Sequence, residues 1–388
     1  MKLRELVLSA LATYLVQAYV AVFFLYPVAL RQEGISLAMV GGLLGAYFGA
    51  TTLGRPLGGL LVERLGVRWA LILAGGGLVL ATTPMLWVRA VGPLLFLRGG
   101  MGLFYGVAMV AVTAYQTAAI PAAVRGKVFA WIGVAYVLPQ ITVMPLGDFF
   151  LTRGWTWEYL ALAPALALGC LLASMFSSDL PVASGPRHRE WGSWRELFRV
   201  KPFFFVLGSV AVFGLVNSST LQYLGAAAAE KGLSPSAFFV ANATSALAMR
   251  LLGSRVLDRF PRGVLSGIMS ALMGSVLSLL PLVESNLWLG CLGLLYGVGM
   301  GFGFPVQLAL APDFVPWRLL PKGVAGSFFV MDLAWIVTTV GAALLGTRWG
   351  VEETLAGVGG FGLVGGLLVT WMAMRIKGST QDPEGETQ

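Results

Sequence analysis

Arg55-Pro-Leu-Gly-Gly59-Leu-Leu-Val-Glu63-Arg64-Leu-Gly66-Val-Arg68 closes one apolar run of this chain. Arg250-Leu-Leu-Gly-Ser254-Arg-Val-Leu-Asp258-Arg259-Phe-Pro-Arg262 closes another, 195 positions later. Without a gap, Arg55 aligns with Arg250, Gly59 with Ser254, Glu63 with Asp258 and Arg64 with Arg259. Tyr105-Gly-Val-Ala-Met109 followed by Gln116 likewise recurs as Tyr296-Gly-Val-Gly-Met300 followed by Gln307. A chain that repeats itself once over half its length is expected to be built as two equivalent halves.

The composition says what medium surrounds those halves. The chain is 57% hydrophobic and 11% charged, with a mean hydropathy of +0.81. Soluble domains carry roughly 25% charged residues, and a water-soluble core of this size could not hide so much apolar surface. The 51 glycines suit helices packed closely in lipid. The reading is an all-α membrane protein crossing the bilayer many times.

The net charge of +8 does not point to nucleic acid, because the basic run from Arg187 to Lys201 sits between apolar spans. Cys170 and Cys291 fall inside apolar segments and form no disulfide or metal spacing. With His188 the single histidine, a histidine-based metal site or triad is excluded. No cofactor is expected. Lys2 and Arg4 precede an apolar run from 7 to 30 that is long enough to span, so it reads as a first membrane helix and not a signal peptide.

Runs of about 20 apolar residues mark twelve spans. They lie near 7–30, 38–61, 70–88, 94–120, 128–150, 158–179, 202–225, 237–254, 264–283, 287–311, 325–347 and 354–374. The polar interruption from 180 to 201 divides six spans from six. This gives an N-terminal half (1–179), a linker (180–201), a C-terminal half (202–374) and a disordered tail (375–388). Arg64, Arg68, Arg125, Lys127, Arg255, Arg259, Arg262, Arg318 and Lys322 all fall on the side of the termini, which the positive-inside rule places in the cytoplasm. Small residues recur at Gly41, Gly45, Gly49, Gly54 and Gly58, either as a sliding contact or as static packing.

The pattern Gly59-x-x-x-Glu63-Arg64-x-Gly66-x-Arg68 between spans 2 and 3 resembles the signature loop of the major facilitator superfamily. Its weaker copy and the central linker match that family's two-half plan, although Glu63 stands where the family usually has Asp. The resemblance implies twelve transmembrane helices in two six-helix pseudo-symmetric halves. It also implies that Glu63, Arg64 and Arg68, echoed by Asp258 and Arg259, latch the cytoplasmic side against the start of span 11. A solvated basic loop that only sets topology accounts for the same charges.

Three intramembrane arginines and two acids are candidate coupling residues. Arg98, in Arg98-Gly-Gly-Met-Gly102, is similar to the family's span-4 motif, and Asp148 is its nearest acidic candidate by depth. Snorkelling towards headgroups is the alternative for Arg98. Asp332 lies inside span 11, with Arg55 of span 2 and Arg250 of span 8 both within range as partners. A pair with Arg55 could break and re-form during transport; a pair with Arg250 would be permanent. The fifth-span Gly-Pro-x-x-Gly-Gly of the family's antiporters is missing, so export does not follow from that motif.

A central cavity is expected to be lined from Tyr14, Gln17, Tyr105, Gln116, Gln140, Asn217, Gln222, Asn242, Tyr296, Gln307 and Trp335, a largely uncharged and amphipathic set. By resemblance to the small efflux branch, the leading expectation is a monomeric, proton-coupled exporter of a small amphipathic molecule in the bacterial inner membrane. Uptake or exchange of an organic anion anchored on Arg98 or Arg250 is the alternative. A non-transporting receptor on the same fold is a third, of a different class. No nucleophile–base set or phosphate loop supports an enzyme or ATP drive.

Overall fold

The computed structural model describes residues 3–119, 125–177, 193–252, 260–316 and 319–376, and among these the chain is helical without a strand. Twelve helices follow the expected spans. In the first half they are α1 (Leu3–Val22), α2 (Leu37–Leu65), α3 (Val67–Thr82), α4 (Val91–Ala119), α5 (Arg125–Thr152) and α6 (Thr156–Met175). In the second they are α7 (Lys201–Glu230), α8 (Pro235–Leu252), α9 (Arg262–Ser278), α10 (Asn286–Phe314), α11 (Leu320–Trp349) and α12 (Val351–Arg375). Among the described residues, eleven segments are long and apolar enough to cross a membrane. The twelfth, α8, falls short because Asn242 and Arg250 interrupt its 18 residues, yet it packs on α10 and α5 as a full member of the bundle.

The ends of the helices are written locally. Ser36 and Ser285 each accept from the backbone N–H three residues on, capping α2 and α10. Single glycines join α2 to α3 and α11 to α12: Gly66 at φ +82° and ψ 163°, Gly350 at φ +94° and ψ 154°. Only glycine occupies that region without strain. Gly66, expected as part of a latch, is therefore first a hinge-shaped connector. Gly66→Ala is expected to lower stability by about 1–3 kcal/mol, read as a drop in the thermal midpoint of the detergent-purified protein.

The first span departs from expectation. Instead of one run over 7–30, α1 ends at Val22 and a short helix, Tyr26–Gln32, follows. Pro27 has no N–H for the ladder and its ring crowds the preceding turn, so the backbone tightens to three-residue bonds from Phe23 to Tyr26. The break turns Phe23 and Phe24 towards different partners, with consequences for the site.

The repeat is visible as packing. In the first half α2 lies on α4, α3 on α4 and α6, and α1 on α5 and α6. In the second, α8 lies on α10, α9 on α10 and α12, and α7 on α11 and α12. The two seams between halves are α2 against α11 and α5 against α8, which exchange under the same correspondence. The glycine stripe of α2 is divided by these neighbours. A Cβ at Gly54 would strike the Leu103 carbonyl and one at Gly58 would crowd Val107, so this part packs on α4 within its half. A Cβ at Gly41 would strike Ala343 and one at Gly45 would press on Val340, so this part packs on α11 across the seam. The stripe therefore packs within its half on one side of Gly49 and across the seam on the other.

Candidate functional site

Across the α2–α11 seam, Arg55 Nη2 meets Asp332 Oδ1 at 2.8 Å. Asp332 lies twelve residues into α11, about 18 Å along the helix from its start, so this pair is deep in the bundle. Its two side chains are 35% and 11% exposed; the carboxylate is enclosed while the guanidinium keeps access to one side. Phe328, one turn back on α11, lies under the Arg55 guanidinium at 5.9 Å. Arg250 instead lies over Phe304 of α10, in its own half. Of the two partners open to Asp332 from the sequence, the fold selects Arg55, because α2 faces α11 and α8 faces α5.

Above this pair, aromatic and amide groups close the space between halves. Trp335, one turn beyond Asp332, stacks on Phe24 at 6.2 Å and tilts on Phe48 at 4.8 Å, both from the other half. Gln222 of α7 accepts from Thr339 and donates weakly to the Trp335 carbonyl at 3.5 Å. On the second seam Asn242 donates to Gln140 at 2.8 Å.

At the end of the bundle away from the chain termini, the halves meet on the α5–α8 seam and between the segment after α1 and α7. Asp148, on the last turns of α5, accepts from the Ser234 hydroxyl and, at 3.3 Å, from the Ser236 backbone N–H, so it caps the start of α8. Arg31 and Glu230 add an exposed pair at 3.5 Å, a contact of small worth in water. Gly225 of α7 seats beside the Phe24 carbonyl and Leu25, in the break after α1.

Among the described residues, Arg98 has no acid partner. It is fully buried, with its guanidinium carbon 4.5 Å from the Phe23 ring, 4.6 Å from Tyr47 and 5.1 Å from Tyr26. Its Nε donates at 3.4 Å to the Leu43 carbonyl, and Nη1 and Nη2 have no hydrogen-bond partner. The expectation that Asp148 would face it fails, because Asp148 is turned across the seam to α8. Snorkelling fails too, because the aromatic cage holds the side chain inside the bundle.

The expected latch is described only in part. Arg64 is exposed, Gly59 borders open space, and Arg68 donates to the Met175 carbonyl at 3.1 Å, closing the end of α6 in its own half. The side chain of Glu63, and all of Asp258 and Arg259, lie outside the described residues.

The remaining expected lining residues divide by neighbour. Within halves, the Tyr14 hydroxyl meets the Thr142 hydroxyl at 2.9 Å, Gln17 donates to the Met109 sulfur at 3.3 Å, and Gln116 donates to Thr13 at 2.5 Å. Tyr296 donates at 3.5 Å to the Val216 carbonyl, and Gln307 accepts from Ser209 at 3.1 Å. Asn217 is buried in α7 with its side-chain oxygen unpartnered, and Tyr105 tilts on Tyr47 at 5.7 Å between ring centres. The groups gathered at the seams are Arg55, Asp332, Trp335, Gln140 and Asn242, with Gln222 behind them. Phe23, Phe24, Tyr47 and Phe48 also belong to the site and were not foreseen. The aromatic cluster Phe23-Phe24-Leu-Tyr26-Pro27 at a proline break was the signal available for the first two.

Comparison with known proteins agrees with this geometry. The chain superposes on a bacterial homologue of the human lysosomal transporter Spinster, in an inward-facing and unoccupied conformation, with a TM-score of 0.76 at 13% identity, covering 97% of this chain and 98% of that one. The inward-open xylose transporter XylE from E. coli gives 0.76 at 17% identity, with 97% of each chain covered. A POT family transporter in complex with a thioalcohol-conjugated peptide gives 0.81 at 11% identity, with 96% of each covered. At such identities the likeness carries the fold alone. The sequence profile of the Major Facilitator Superfamily, however, matches residues 6–339. Matched over most of its length and built as two packed six-helix sets, this transporter, which is not an enzyme, belongs to the Major Facilitator Superfamily.

Proposed function

We propose that this protein is a proton-coupled secondary transporter that exports a small amphipathic molecule by alternating access. In this reading it acts as a monomer in a bacterial inner membrane, with both termini in the cytoplasm. The observation that carries the proposal is the Arg55–Asp332 pair, an ion pair with an enclosed carboxylate formed between halves and not within one. Rocking the halves about the α2–α11 and α5–α8 seams stretches that pair. A carboxylate parted from its cation in a poorly solvated place takes up a proton, since leaving it charged there costs several kcal/mol. Among the described residues, Arg55 and Tyr105 are the ionisable groups within electrostatic reach of Asp332, so the proton and Arg55 compete for one carboxylate. Protonation frees the seam to move, and deprotonation on the other side restores it.

The far-end contacts are the complementary gate. Asp148 on the α8 N-terminus holds the periplasmic side closed, while Glu63 and Arg64 serve the cytoplasmic side by resemblance. Asp148→Asn keeps the shape but removes the charge from that cap, which is worth about 0.3–2 kcal/mol. A cysteine placed at Gln140, in a chain lacking Cys170 and Cys291, is then expected to react severalfold faster with a membrane-impermeant maleimide added from outside. An unchanged labelling rate removes Asp148 from the gate.

The coupling reading is tested by a ligand-stabilisation screen of the purified protein, followed by flux of the hit in proteoliposomes. Flux that follows an imposed pH gradient supports it. Flux indifferent to the gradient overturns it.

A further inference from the structure

The turn that leads into α7 has one buried face and one exposed, amphipathic face. It is a single helical turn, Trp194–Leu197, opened by a reciprocal cap at Ser193. The Ser193 hydroxyl accepts from the Glu196 backbone N–H at 3.2 Å, and Glu196 Oε1 accepts from the Ser193 backbone N–H at 3.0 Å. Backbone bonds carry the turn on through Arg199. Leu197 is fully buried with Phe203, Val315 and Leu319, which pins the turn to the start of α7 and to the connection between α10 and α11.

Residues four apart in a helical turn share a face. Trp194 and Phe198 make one exposed column, with rings stacked at 6.3 Å, and the exposed Arg195 and Arg199 make the column beside it. Phe204, exposed in the first turn of α7, extends the aromatic column at 6.4 Å from Phe198. Lys201 adds a third exposed cation. Among the described residues, none of Arg195, Arg199 and Lys201 forms an ion pair. Glu196, the acid of the turn, is drawn back onto Ser193 by the cap.

The depth of this surface follows from α7. Its 30 residues run about 45 Å, against a hydrocarbon core about 30 Å thick, so its first residues stand in the headgroup layer. Aromatic rings favour that depth, where one end is apolar and the other wet. A guanidinium there is matched to the oxygens of a lipid phosphate. A free phosphate would use the cations alone and leave the exposed rings without a role.

We infer that Arg195, Arg199 and Lys201, with the Trp194–Phe198–Phe204 column, form a binding surface for an anionic phospholipid of the adjacent leaflet. The cations hold the phosphate, and the column lies along the glycerol and upper acyl chain. This goes beyond the transport reading and holds whatever solute is moved. Because Leu197 ties the turn to Val315 and Leu319, a lipid bound here also braces the start of α11, the helix that carries Asp332.

The test is retention of phosphatidylglycerol by the full-length protein in a non-ionic detergent, read by native mass spectrometry and by thermal midpoint. Phosphatidylglycerol is expected to bind at least about fivefold more tightly than zwitterionic phosphatidylcholine and to raise the midpoint. Each cation near an anionic surface contributes about fivefold, so the double variant Arg195→Gln/Arg199→Gln should weaken phosphatidylglycerol about tenfold or more and leave phosphatidylcholine unchanged. Both are exposed positions, so the variant is expected to fold normally. Trp194→Ser should weaken phosphatidylglycerol severalfold, a loss that a site for free phosphate would not show. Arg153→Gln removes an exposed arginine that also lies on aromatic rings, those of Phe149 and Trp155 at the far end, and should change nothing. Equal binding of the two lipids overturns the inference, as does an equal loss in Arg153→Gln. So does unchanged phosphatidylglycerol binding in the double variant, or its displacement by equimolar inorganic phosphate.

Discussion

Asp332→Asn is expected to lose proton-driven accumulation in proteoliposomes by about tenfold or more, while gradient-free counterflow of the same solute persists. Asparagine fills the carboxylate's place and can still accept from Arg55, but it cannot exchange a proton. The coupling step vanishes and the rocking motion does not. Arg55→Gln should give the same loss by another route. Without its cation, the enclosed Asp332 carboxyl stays protonated, and there is no competition left to drive. The double variant then sharpens the reading. Removing Arg55 alone leaves the enclosed carboxyl without its partner and forces it to hold a proton, whereas removing both members leaves no carboxyl to neutralise, so the double variant should be more stable than Arg55→Gln alone. Proton-driven accumulation at the native level in Asp332→Asn would reduce the pair to a structural bolt.

Gly54→Leu and Gly41→Leu, only thirteen residues apart on one helix, are expected to fail in opposite ways. A side chain at Gly54 runs into the Leu103 backbone carbonyl, and α4 returns the contact by setting Gly102 and Gly106 against the Tyr47 and Thr51 carbonyls. Backbone cannot step aside, so α2 and α4 must separate. Overpacking of this kind costs about 1–3 kcal/mol at minimum and more against backbone. Gly54→Leu should yield little folded protein, seen as a collapsed monodisperse peak in size-exclusion chromatography. A side chain at Gly41 meets Ala343 across the seam, a contact the account requires to open in each cycle. Gly41→Leu should therefore fold normally and hold the far end open, with transport reduced at least about tenfold. If both variants unfold alike, the α2–α11 seam is static packing.

Much of the fold was legible because lipid imposes strong rules on sequence. Runs long enough to span, a repeat at 195 positions and basic residues on alternate sides are properties of the chain alone. The proline break after Val22 was missed because apolar content is continuous through it, and hydropathy does not register a lost N–H. The site was less legible. Depth along a helix can be counted, so Arg55 and Asp332 emerged as candidates, but the choice between Arg55 and Arg250 depended on which helices face. The same limit misplaced Arg98. Counting depth suggested Asp148, yet Arg98 is held by Phe23, Tyr26 and Tyr47, three rings brought together from the break after α1, the short helix that follows it and α2. Nothing in residue spacing distinguishes Gln116, spent on Thr13 within one half, from Gln140, which crosses a seam. Polar residues in a membrane helix announce a partner without saying whose.

Rocking of the halves under control of one carboxylate is most directly tested by distances at both ends of the bundle. Spin labels at Glu158 and Leu287, exposed at the far ends of α6 and α10, report one end in a chain lacking Cys170 and Cys291. Labels at Arg64 and Trp371, exposed near the termini, report the other. Pulsed electron resonance should show the two distance distributions shifting in opposite directions as pH falls and Asp332 takes its proton. In Asp332→Asn both should stay at their acid values at every pH. Distributions that ignore pH, or that keep their pH dependence in Asp332→Asn, would contradict the account.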